Sequence, residues 1–462
     1  MFPLAVIMKN KGFPVGGSDR AFDRKSGEDK AAFLRSRGIS IFPQDGSGIV
    51  DGDVILVTSS AVEESIPDVE AARVMGAKRI SRAELLADLF NSAPLSIGVA
   101  GTSGKSTTVG MIGWLLSQGG FDPTIVNGAT MKNFIAEDAP FASSVAGKGD
   151  VFLCEVDESD GSIAHFTPKI AVVNNVALDH KPEEELQRLF ADFCEKSGCA
   201  ILNADNAGTR LLAETLPLKR RLTYSLVDPK ADFFATLLSR EPHASVFHVK
   251  RVGGQDIDIR LPVPGLHNIS NALAALAAAE AVGLPLTRAA RALEGFSGIK
   301  RRLEVIGEKN GVAVIDDFAH NPDKIAASLA TLHAFPGRLL ILFQPHGYGP
   351  LRLMRAEFVS CFAEHLSERD ILAMAEAAYF GGTADRSVKS ADIAAEIAAK
   401  GKCVLYGEDR DSLARRLIEA AQKQDRIVIM GARDDSLSKL AQDVLDALSR
   451  HSLLMGPHPP AI

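Results

Sequence analysis

Apolar and polar positions along this chain follow a rhythm in which short apolar runs alternate with helical patterns. Residues 54–57, 151–154 and 427–430 are apolar runs with the length of buried strands. Amphipathic patterns at residues 67–75 and 186–194 have helical spacing, and residues 231–261 alternate in the manner of antiparallel strands. Repeated alternation of strand and helix predicts an α/β fold with mostly parallel sheets and right-handed crossovers.

Two junctions divide this pattern into three predicted domains. The chain of 462 residues is too long for one hydrophobic core. Residues 91–94 (Asn-Ser-Ala-Pro) have the composition of a linker, and residues 298–302 (Gly-Ile-Lys-Arg-Arg) separate two strand-helix series. We therefore expect domains at residues 1–95, 96–297 and 298–462, and the alternation within 1–95 predicts one parallel sheet in the first of them.

Composition excludes several classes of protein. The net charge of −7 argues against nucleic acid as the main partner. The five cysteines are scattered without zinc spacing, which indicates free thiols in a reducing cytoplasm. No apolar run is long enough to span a bilayer, so no membrane partner is expected. Since a short apolar patch at the start meets Lys9 and Lys11 at once, it predicts an amphipathic helix and not a signal peptide.

The stretch SIGVAGTSGKSTT at residues 96–108 has the parts of a phosphate-binding loop. An apolar strand pattern ends in a glycine-containing loop, and a helical pattern follows it. Backbone N–H groups of such a loop point at phosphates, a lysine reaches the terminal ones, and a serine can hold Mg²⁺. The predicted nucleotide-binding residues are Gly101, Thr102, Ser103, Gly104, Lys105, Ser106 and Thr107.

Polar residues follow two predicted strands of the same sheet. Glu155 comes after residues 151–154, and Asn175 and His180 come after residues 170–173. Because ligands of open α/β sheets bind at the carboxyl ends of strands, Ser106, Glu155 and His180 together predict a magnesium site. Taken alone, Glu155 could be a surface acid and His180 a structural histidine.

The last domain contributes a second set of candidates. Arg301 and Arg302 could be a solvated pair, but at a domain junction one of them could reach the γ-phosphate. Asp317 and His320 follow the strand pattern at residues 312–315 and could contact the nucleotide or close a cleft. The residues thus predict a multidomain ATP-dependent enzyme and leave the acceptor of the reaction open.

Six motifs in order resemble those of the Mur ligase superfamily, which joins peptidoglycan precursors. They are AGTSGKST (100–107), EVDESD (155–160), NVALDH (175–180), GLHNISNALAA (265–275), FSGIKRR (296–302) and DDFAHNP (316–322). The DESD run, FQPH at 343–346 and MGARD at 430–434 are most similar to the UDP-N-acetylmuramate–L-alanine ligase branch, with murein tripeptide ligases next.

This resemblance implies a three-domain architecture. An N-terminal Rossmann-like domain would bind the UDP-substrate, a central P-loop domain would bind ATP with Mg²⁺, and a C-terminal Rossmann-like domain would bind the amine acceptor. It implies a cytoplasmic, ADP-forming ligase of peptidoglycan synthesis, monomeric or homodimeric, whose partners are small molecules. ATP would phosphorylate a UDP-N-acetylmuramate-type carboxylate, and an amine would attack the acyl phosphate after the domains close.

The resemblance also assigns roles to individual residues. Lys105, His180 and Arg302 would be catalytic, and Ser106, Glu155 and His180 would hold the metal. Asn268 and Asn271 would read the adenine, while Arg302, Asp317 and His320 would contact the nucleotide from the third domain. The implied substrate-binding residues are Ser18, Asp19, Asp157, Ser159, Asn175, His346, Tyr348 and Arg352.

Two departures from the family pattern bear on specificity. The opening strand and glycine turn that bind UDP are absent, so either they lie upstream of Met1 or UDP binding is altered. We expect the first, because a parallel sheet without that strand would expose an edge. L-alanine ligases carry arginines after the His of FQPH, whereas residues 347–350 are Gly-Tyr-Gly-Pro and only Arg352 remains. The loss predicts another acceptor, such as a wall tripeptide, or another way of holding it.

A third alternative is a non-catalytic nucleotide-binding regulator that kept the fold. The presence of Lys105, Glu155, His180 and Arg302 together argues against it, because a binding-only protein does not need the whole set.

Overall fold

Strands and helices alternate through the computed structural model, which describes residues 1–24, 27–59, 62–177, 182–378 and 385–450. The α/β fold class predicted from the sequence is confirmed. The chain forms two compact units. The first comprises residues 1–239, 245–263 and 268–298, and the second comprises residues 240–244, 264–267 and 299–462. No helix within the described ranges has both the length and the apolar character needed to cross a membrane.

The first unit opens with two small parallel strand pairs and five helices. Its elements are α1 (Phe2–Asn10), β1 (Gly16–Gly17), α2 (Arg20–Asp23), α3 (Glu28–Ser36), β2 (Ser40–Ile41), β3 (Ile55–Thr58), α4 (Pro67–Met75), β4 (Lys78–Ser81) and α5 (Arg82–Asn91). Strand β1 pairs with β2, and β3 pairs with β4. The single parallel sheet expected here is therefore wrong for the described residues, because none of their strands joins the two pairs.

Local sequence explains where these helices begin and end. Pro67 occupies the first turn of α4, where its missing N–H costs nothing, and Gly76 ends the helix at a φ of 71°. Ser81 and Glu84 form a capping box at the start of α5.

The rest of the first unit is built on a ten-stranded sheet. Its elements are β5 (Leu95–Ala100), α6 (Lys105–Gln118), β6 (Thr124–Val126), β7 (Ser144–Val145), β8 (Val151–Glu155), β9 (Ile170–Val173), α7 (Glu183–Glu195), β10 (Cys199–Asn203), α8 (Ala207–Thr215), β11 (Arg221–Ser225), β12 (Phe233–Glu241), β13 (Ala244–Arg251), β14 (Ile257–Leu261), α9 (Leu266–Ala281) and α10 (Leu286–Leu293).

The strand order of this sheet is β14-β13-β12-β11-β10-β9-β5-β8-β6-β7. Strand β5 lies between β8 and β9 and is parallel to both. The carboxyl ends of these three strands therefore meet at one edge of the sheet. The antiparallel pattern expected at 231–261 is confirmed for β13 and β14, whereas β12 is parallel to β11.

Helices α1 and α5 share a hydrophobic core with this sheet. Phe90 of α5 lies 6.0 Å from Phe152 of β8 and 5.3 Å from Phe166, measured between ring centroids. Leu4 and Ile7 of α1 are buried in the same cluster. Burial of these apolar side chains explains why the opening helices belong to the first unit.

The second unit carries a six-stranded sheet. Its elements are β15 (Glu304–Lys309), β16 (Val312–Asp317), α11 (Pro322–Leu332), β17 (Leu339–Gln344), α12 (Tyr348–Leu353), α13 (Arg355–His365), β18 (Ile371–Ala375), α14 (Ser390–Ala399), β19 (Cys403–Gly407), α15 (Arg410–Ala420), β20 (Arg426–Gly431) and α16 (Ser436–Arg450). The order is β15-β16-β20-β17-β18-β19, and only β15 is antiparallel to its neighbour.

Candidate active site

The predicted phosphate loop lies between the buried strand β5 and the start of α6. Gly101 and Gly104 have φ angles of 119° and 84°, which side chains rarely allow. A Cβ at Gly104 would lie 2.5 Å from Oδ1 of Asn271, and one at Gly101 would lie 3.0 Å from the backbone N of Asn175. The loop therefore needs glycine at both positions, and its N–H groups at the start of α6 form an anion-binding site.

Lys105 is a buried cation with a buried carboxylate beside it. Its Nζ donates to the carbonyl oxygen of Gly101 at 2.8 Å and lies 2.8 Å from Oε2 of Glu158. The side chains of Lys105 and Glu158 are 13% and 5% exposed. Desolvation alone would lower the pKa of Lys105, but the surrounding carboxylates, Glu158 first, outweigh it and raise that pKa. Lys105 is therefore protonated.

Glu158 was not singled out from the sequence as a site residue. Burial raises its pKa, and the charge of Lys105 opposes that shift. The only sequence signal was its place in the acidic EVDESD run after β8. Its neighbours Asp157 and Ser159 form a local turn, in which Ser159 N donates to Oδ1 of Asp157 at 3.0 Å.

Two of the predicted metal ligands lie side by side. Ser106 Oγ donates to Oε2 of Glu155 at 2.8 Å, and Gly128 N donates to the same oxygen at 2.9 Å. Buried Asn127 donates from Nδ2 to the carbonyl oxygen of Ser106 at 3.0 Å, while its Oδ1 has no hydrogen-bond partner among the residues that the structure describes. Hydroxyl, carboxylate and amide oxygens are the donors that Mg²⁺ prefers, so this set fits the metal.

The third predicted ligand, His180, lies outside the described residues. Within the described part of the chain, no group of three or more His, Cys, Asp or Glu residues could hold a metal by itself.

Asparagines that follow β9 hold the phosphate loop in place. Asn175 accepts from Ser103 N at 2.9 Å through Oδ1 and donates to Ser103 O at 3.2 Å through Nδ2. Thr102 Oγ1 donates to the carbonyl oxygen of Ala177 at 3.1 Å. The side chain of Asn175, predicted to bind substrate, thus bonds both backbone groups of Ser103.

The predicted adenine readers lie next to this loop. Thr108 Oγ1, one turn into α6, donates to Oδ1 of Asn271 at 3.2 Å, and Asn271 Nδ2 lies 3.4 Å from Oδ1 of Asn268. Both asparagines are buried. Asn174, which the sequence did not single out, donates to Thr108 Oγ1 at 3.0 Å.

Ser18 and Asp19, two of the implied substrate-binding residues, follow β1. Ser18 Oγ donates to Oδ2 of buried Asp68, whose Oδ1 accepts from Gly46 N at 2.7 Å. Asp19 accepts from Ala21 N at 2.8 Å and so caps α2. Both side chains stabilise the loop after β1 in addition to any substrate role.

In the second unit the adjacent arginines behave differently. Arg301 has a φ of 60°, is buried, and donates to Gly431 O at 2.9 Å and Asp434 O at 3.1 Å. Arg302 is half-buried, with its guanidinium 4.4 Å from the centroid of the Phe318 ring. Arg301 thus ties the start of the unit to the end of β20, and Arg302 is the candidate for phosphate contact.

Asp317 and His320 end β16 in different environments. Asp317 is 4% exposed and accepts from Ser328 Oγ and from Leu303 N at 3.2 Å. Burial raises its pKa. His320 Nδ1 donates to Phe318 O at 2.8 Å, and burial, aided by the Lys324 charge, lowers its pKa to about 2. Its imidazole is therefore neutral, with the proton on Nδ1.

His346 and Tyr348, two of the implied substrate-binding residues, lie just after β17. A third, Arg352, follows on α12. His346 is buried and its ring lies 4.7 Å from that of His320, and Tyr348 is 9% exposed. Arg352 Nη1 lies 2.6 Å from Oδ2 of Asp385. Arg386, which the sequence did not single out, places its guanidinium 5.7 Å from the Tyr348 ring centroid.

Family models match the three parts of the chain. The Mur ligase family, catalytic domain model matches residues 1–93, the Mur ligase middle domain model matches 99–279, and the Mur ligase, glutamate ligase domain model matches 301–433.

Curated relatives match nearly the full length. The UDP-N-acetylmuramate--L-alanine ligase of Geobacter sulfurreducens is 36% identical over 447 residues, covering 94% of this chain and 92% of the relative. The protein of that name from Synechococcus sp. (strain JA-3-3Ab) is 33% identical over 466 residues, covering 99% and 86%.

Solved structures share the fold. UDP-N-acetylmuramate-alanine ligase MurC from Thermotoga maritima superposes with a TM-score of 0.77 at 22% identity, covering 97% of this chain and 96% of that one. A murein peptide ligase from Psychrobacter arcticus gives a TM-score of 0.67 at 22% identity, covering 98% and 97%.

Proposed function

Because this chain belongs to the Mur ligase family of ATP-dependent carboxylate–amine ligases, we propose that it joins the carboxylate of UDP-N-acetylmuramate to the amino group of L-alanine. ATP is converted to ADP and phosphate in the reaction. The product is a precursor of peptidoglycan, in keeping with the function of the relatives that carry this name.

The observation that carries the proposal is the convergence of three side chains at one loop. Lys105, Ser106 and Glu155 meet where β5 and β8 end, at the N-terminus of α6. A protonated lysine, a hydroxyl and a carboxylate at a helix N-terminus form a site for a metal-bound triphosphate. The full-length identity of 36% supports the ligase reaction at this site over other phosphoryl transfers.

The residues of the loop have separate tasks in this reaction. The backbone N–H groups at the start of α6 bind the phosphates, and Lys105 neutralises charge on the terminal ones. Ser106 and Glu155 would hold Mg²⁺, with Asn127 offering a further oxygen nearby and His180 as the remaining proposed ligand. Mg²⁺ supplies further neutralisation of the phosphoryl group that is transferred.

The substrate carboxylate attacks the γ-phosphorus of ATP, and ADP leaves. The amine then attacks the acyl carbon, loses a proton, and displaces inorganic phosphate. Arg302 is proposed to stabilise charge on the transferred phosphoryl group, and His320 and Asp317 to position the nucleotide from the second unit. Asn268 and Asn271 are proposed to contact the adenine, and Ser18, Asp19, Asp157, Ser159 and Asn175 the UDP-sugar.

A ligase with a different amine acceptor is the second candidate function. It is favoured by the stretch after His346, where Gly347 has a φ of 149° and Arg352 is paired with Asp385. The chain therefore lacks an uncommitted arginine among residues 347–353, and arginine is the usual clamp for a carboxylate.

Phosphate release with ATP, Mg²⁺ and UDP-N-acetylmuramate against a panel of amino acids and peptides tests the proposal. We expect turnover with L-alanine and its loss in Lys105→Ala, whose fold is checked by circular dichroism. Turnover with a tripeptide alone would support the second candidate. ATP binding without turnover on any acceptor would contradict both and indicate a nucleotide-binding regulator.

A further inference from the structure

The carboxyl ends of β17, β18 and β19 form one edge of the second unit's sheet. Strand β18 pairs in parallel with both neighbours, so the residues that follow the three strands lie together. Tyr348 follows β17, Glu376 follows β18, and Tyr406 lies near the end of β19. The backbone N of Ala378 donates to Pro345 O at 2.9 Å, which fixes the segment after β18 against the segment after β17.

Among the described residues, the carboxylate of Glu376 accepts three hydrogen bonds at this edge of the sheet. Its Oε1 accepts from Ala377 N at 2.9 Å and Ser390 N at 3.3 Å, and its Oε2 accepts from Tyr406 Oη at 2.8 Å. Tyr348 is 9% exposed, and burial together with Glu376 raises its pKa. The Tyr348 phenol is therefore neutral and able to donate a hydrogen bond.

The guanidinium groups of Arg352 and Arg386 both lie at this edge, and they make different contacts. Arg352 forms a 2.6 Å ion pair with Asp385, and Asp385 also accepts from Ser387 N at 2.9 Å. Arg386 is exposed, follows Asp385 directly, and lies over the Tyr348 ring at 5.7 Å. Arg352 is thus ion-paired with Asp385, and the Arg386 guanidinium contacts the ring of Tyr348 near the strand ends.

Gly347 explains why no arginine can take the position directly after His346. Its φ of 149° is rarely adopted by residues with a side chain. Arg386, from the segment after β18, is a guanidinium that the described residues place over the Tyr348 ring.

We propose that Arg386, held over Tyr348, binds the carboxylate of the incoming amine acceptor, and that Tyr348 donates a second hydrogen bond to the same group. The inference rests on the proposed ligase function and names the specificity determinant of its acceptor. It predicts that an acceptor needs a free carboxylate near its amine, as in an α-amino acid. Arginine and a phenol match a carboxylate in charge and in donor geometry.

A comparison of two amine acceptors, in the wild type and in the Arg386→Gln variant, tests this inference. With ATP and UDP-N-acetylmuramate fixed, L-alanine and L-alaninamide are compared as acceptors by phosphate release. We expect KM for L-alanine to rise about 10- to 100-fold in Arg386→Gln, since a charge-assisted hydrogen bond is lost, with a smaller change in kcat. The preference of the wild type for L-alanine over its amide should fall by a similar factor.

Hydroxylamine separates this inference from the proposed function. It traps an acyl phosphate as a hydroxamate and carries no carboxylate, so Arg386→Gln should form hydroxamate at the wild-type rate. No hydroxamate from the wild type would contradict the ligase proposal itself. Hydroxamate from the wild type, together with an unchanged KM for L-alanine in Arg386→Gln, would overturn only the role of Arg386.

Two further variants make the comparison specific. Arg355→Gln removes an arginine of α13 that is paired with Glu396, and it should leave the KM for L-alanine unchanged. Arg352→Gln tests the competing guanidinium. A larger rise in KM for Arg352→Gln than for Arg386→Gln would assign the carboxylate to Arg352 and overturn the inference.

Discussion

At the scale of single residues, the pairing of Lys105 with Glu158 has the clearest consequence. Both side chains are buried, and 2.8 Å separates Nζ from Oε2. A triphosphate brings more negative charge to the same ammonium group than Glu158 does. Binding is therefore expected to weaken the Lys105–Glu158 contact and to replace it with phosphate oxygens.

Glu158→Gln should destabilise the protein without nucleotide, because it removes the carboxylate that lies closest to the Lys105 ammonium group in a largely buried site. Loss of one partner of a buried ion pair costs about 3–5 kcal/mol. ATP with Mg²⁺ should raise the melting temperature more in the variant than in the wild type, since phosphates then supply the missing charge. Differential scanning fluorimetry with and without ATP measures both effects.

The double variant Lys105→Met/Glu158→Gln is the matched control, because it removes both charges and should recover part of the lost stability. Equal melting temperatures for wild type and Glu158→Gln would show that the pair contributes nothing.

His320 predicts an acid-sensitive second unit. Its folded-state pKa is lowered to about 2, whereas an unfolded histidine titrates near about 6.5. Between these values the unfolded chain binds more protons, so stability rises with pH across this window and is reduced below about pH 6. His320→Asn should flatten this dependence, measured as the urea midpoint at about pH 5 and at about pH 7.5.

The exposed His165, on the first unit, provides the control His165→Asn for that experiment. The same pH dependence in His320→Asn as in the wild type would exclude His320 as its source.

At the scale of elements, the loop between β5 and α6 depends on backbone geometry as much as on side chains. Gly104→Ala would place a Cβ 2.5 Å from Oδ1 of Asn271 at a φ of 84°. We expect ATP affinity to fall at least about 10-fold, because the loop must shift to relieve the contact. Gly349→Ala is the control, since no atom of the described residues lies within 4 Å of its added Cβ. Equal ATP affinity of the two variants, measured by calorimetry, would contradict this account.

Secondary-structure elements could be predicted from the sequence where a short stretch of residues determines them. The strand, loop and helix at residues 96–118 follow from apolar periodicity and the Gly-Lys-Ser sequence. The adjacency of Ser106 and Glu155 also followed, because β5 and β8 are parallel neighbours. The polar residues after each strand were therefore predictable as a group.

Contacts between distant segments could not be predicted in this way. Arg386 is 38 positions from Tyr348, and no periodic pattern links them (386 − 348 = 38). Glu158 lies among other acids, and its pairing with Lys105 depends on the turn after β8. Arg301 and Arg302 are chemically identical neighbours, and the sequence does not show that Arg301, at a φ of 60°, is buried while Arg302 is half-buried.

At the scale of the whole molecule, the chain divides its chemistry between two units. The phosphate loop and the proposed metal ligands belong to the first unit, while Arg302, His320 and the proposed acceptor residues belong to the second. The two parallel strand pairs at the start, β1 with β2 and β3 with β4, differ from the single sheet that the alternating pattern predicted. Which strands pair depends on contacts between distant segments of the chain. The local pattern of apolar and polar residues does not contain that information.

Mass spectrometry of the reaction product tests the central claim most directly. The protein is incubated with UDP-N-acetylmuramate, ATP, Mg²⁺ and isotopically labelled L-alanine, with Lys105→Ala in parallel. We predict a UDP-N-acetylmuramate species that has gained one labelled alanyl residue in an amide bond, with one ADP formed per product, and none with Lys105→Ala. Formation of ADP without any amide product, or the same product from Lys105→Ala, would contradict the assignment of this loop to a carboxylate–amine ligase.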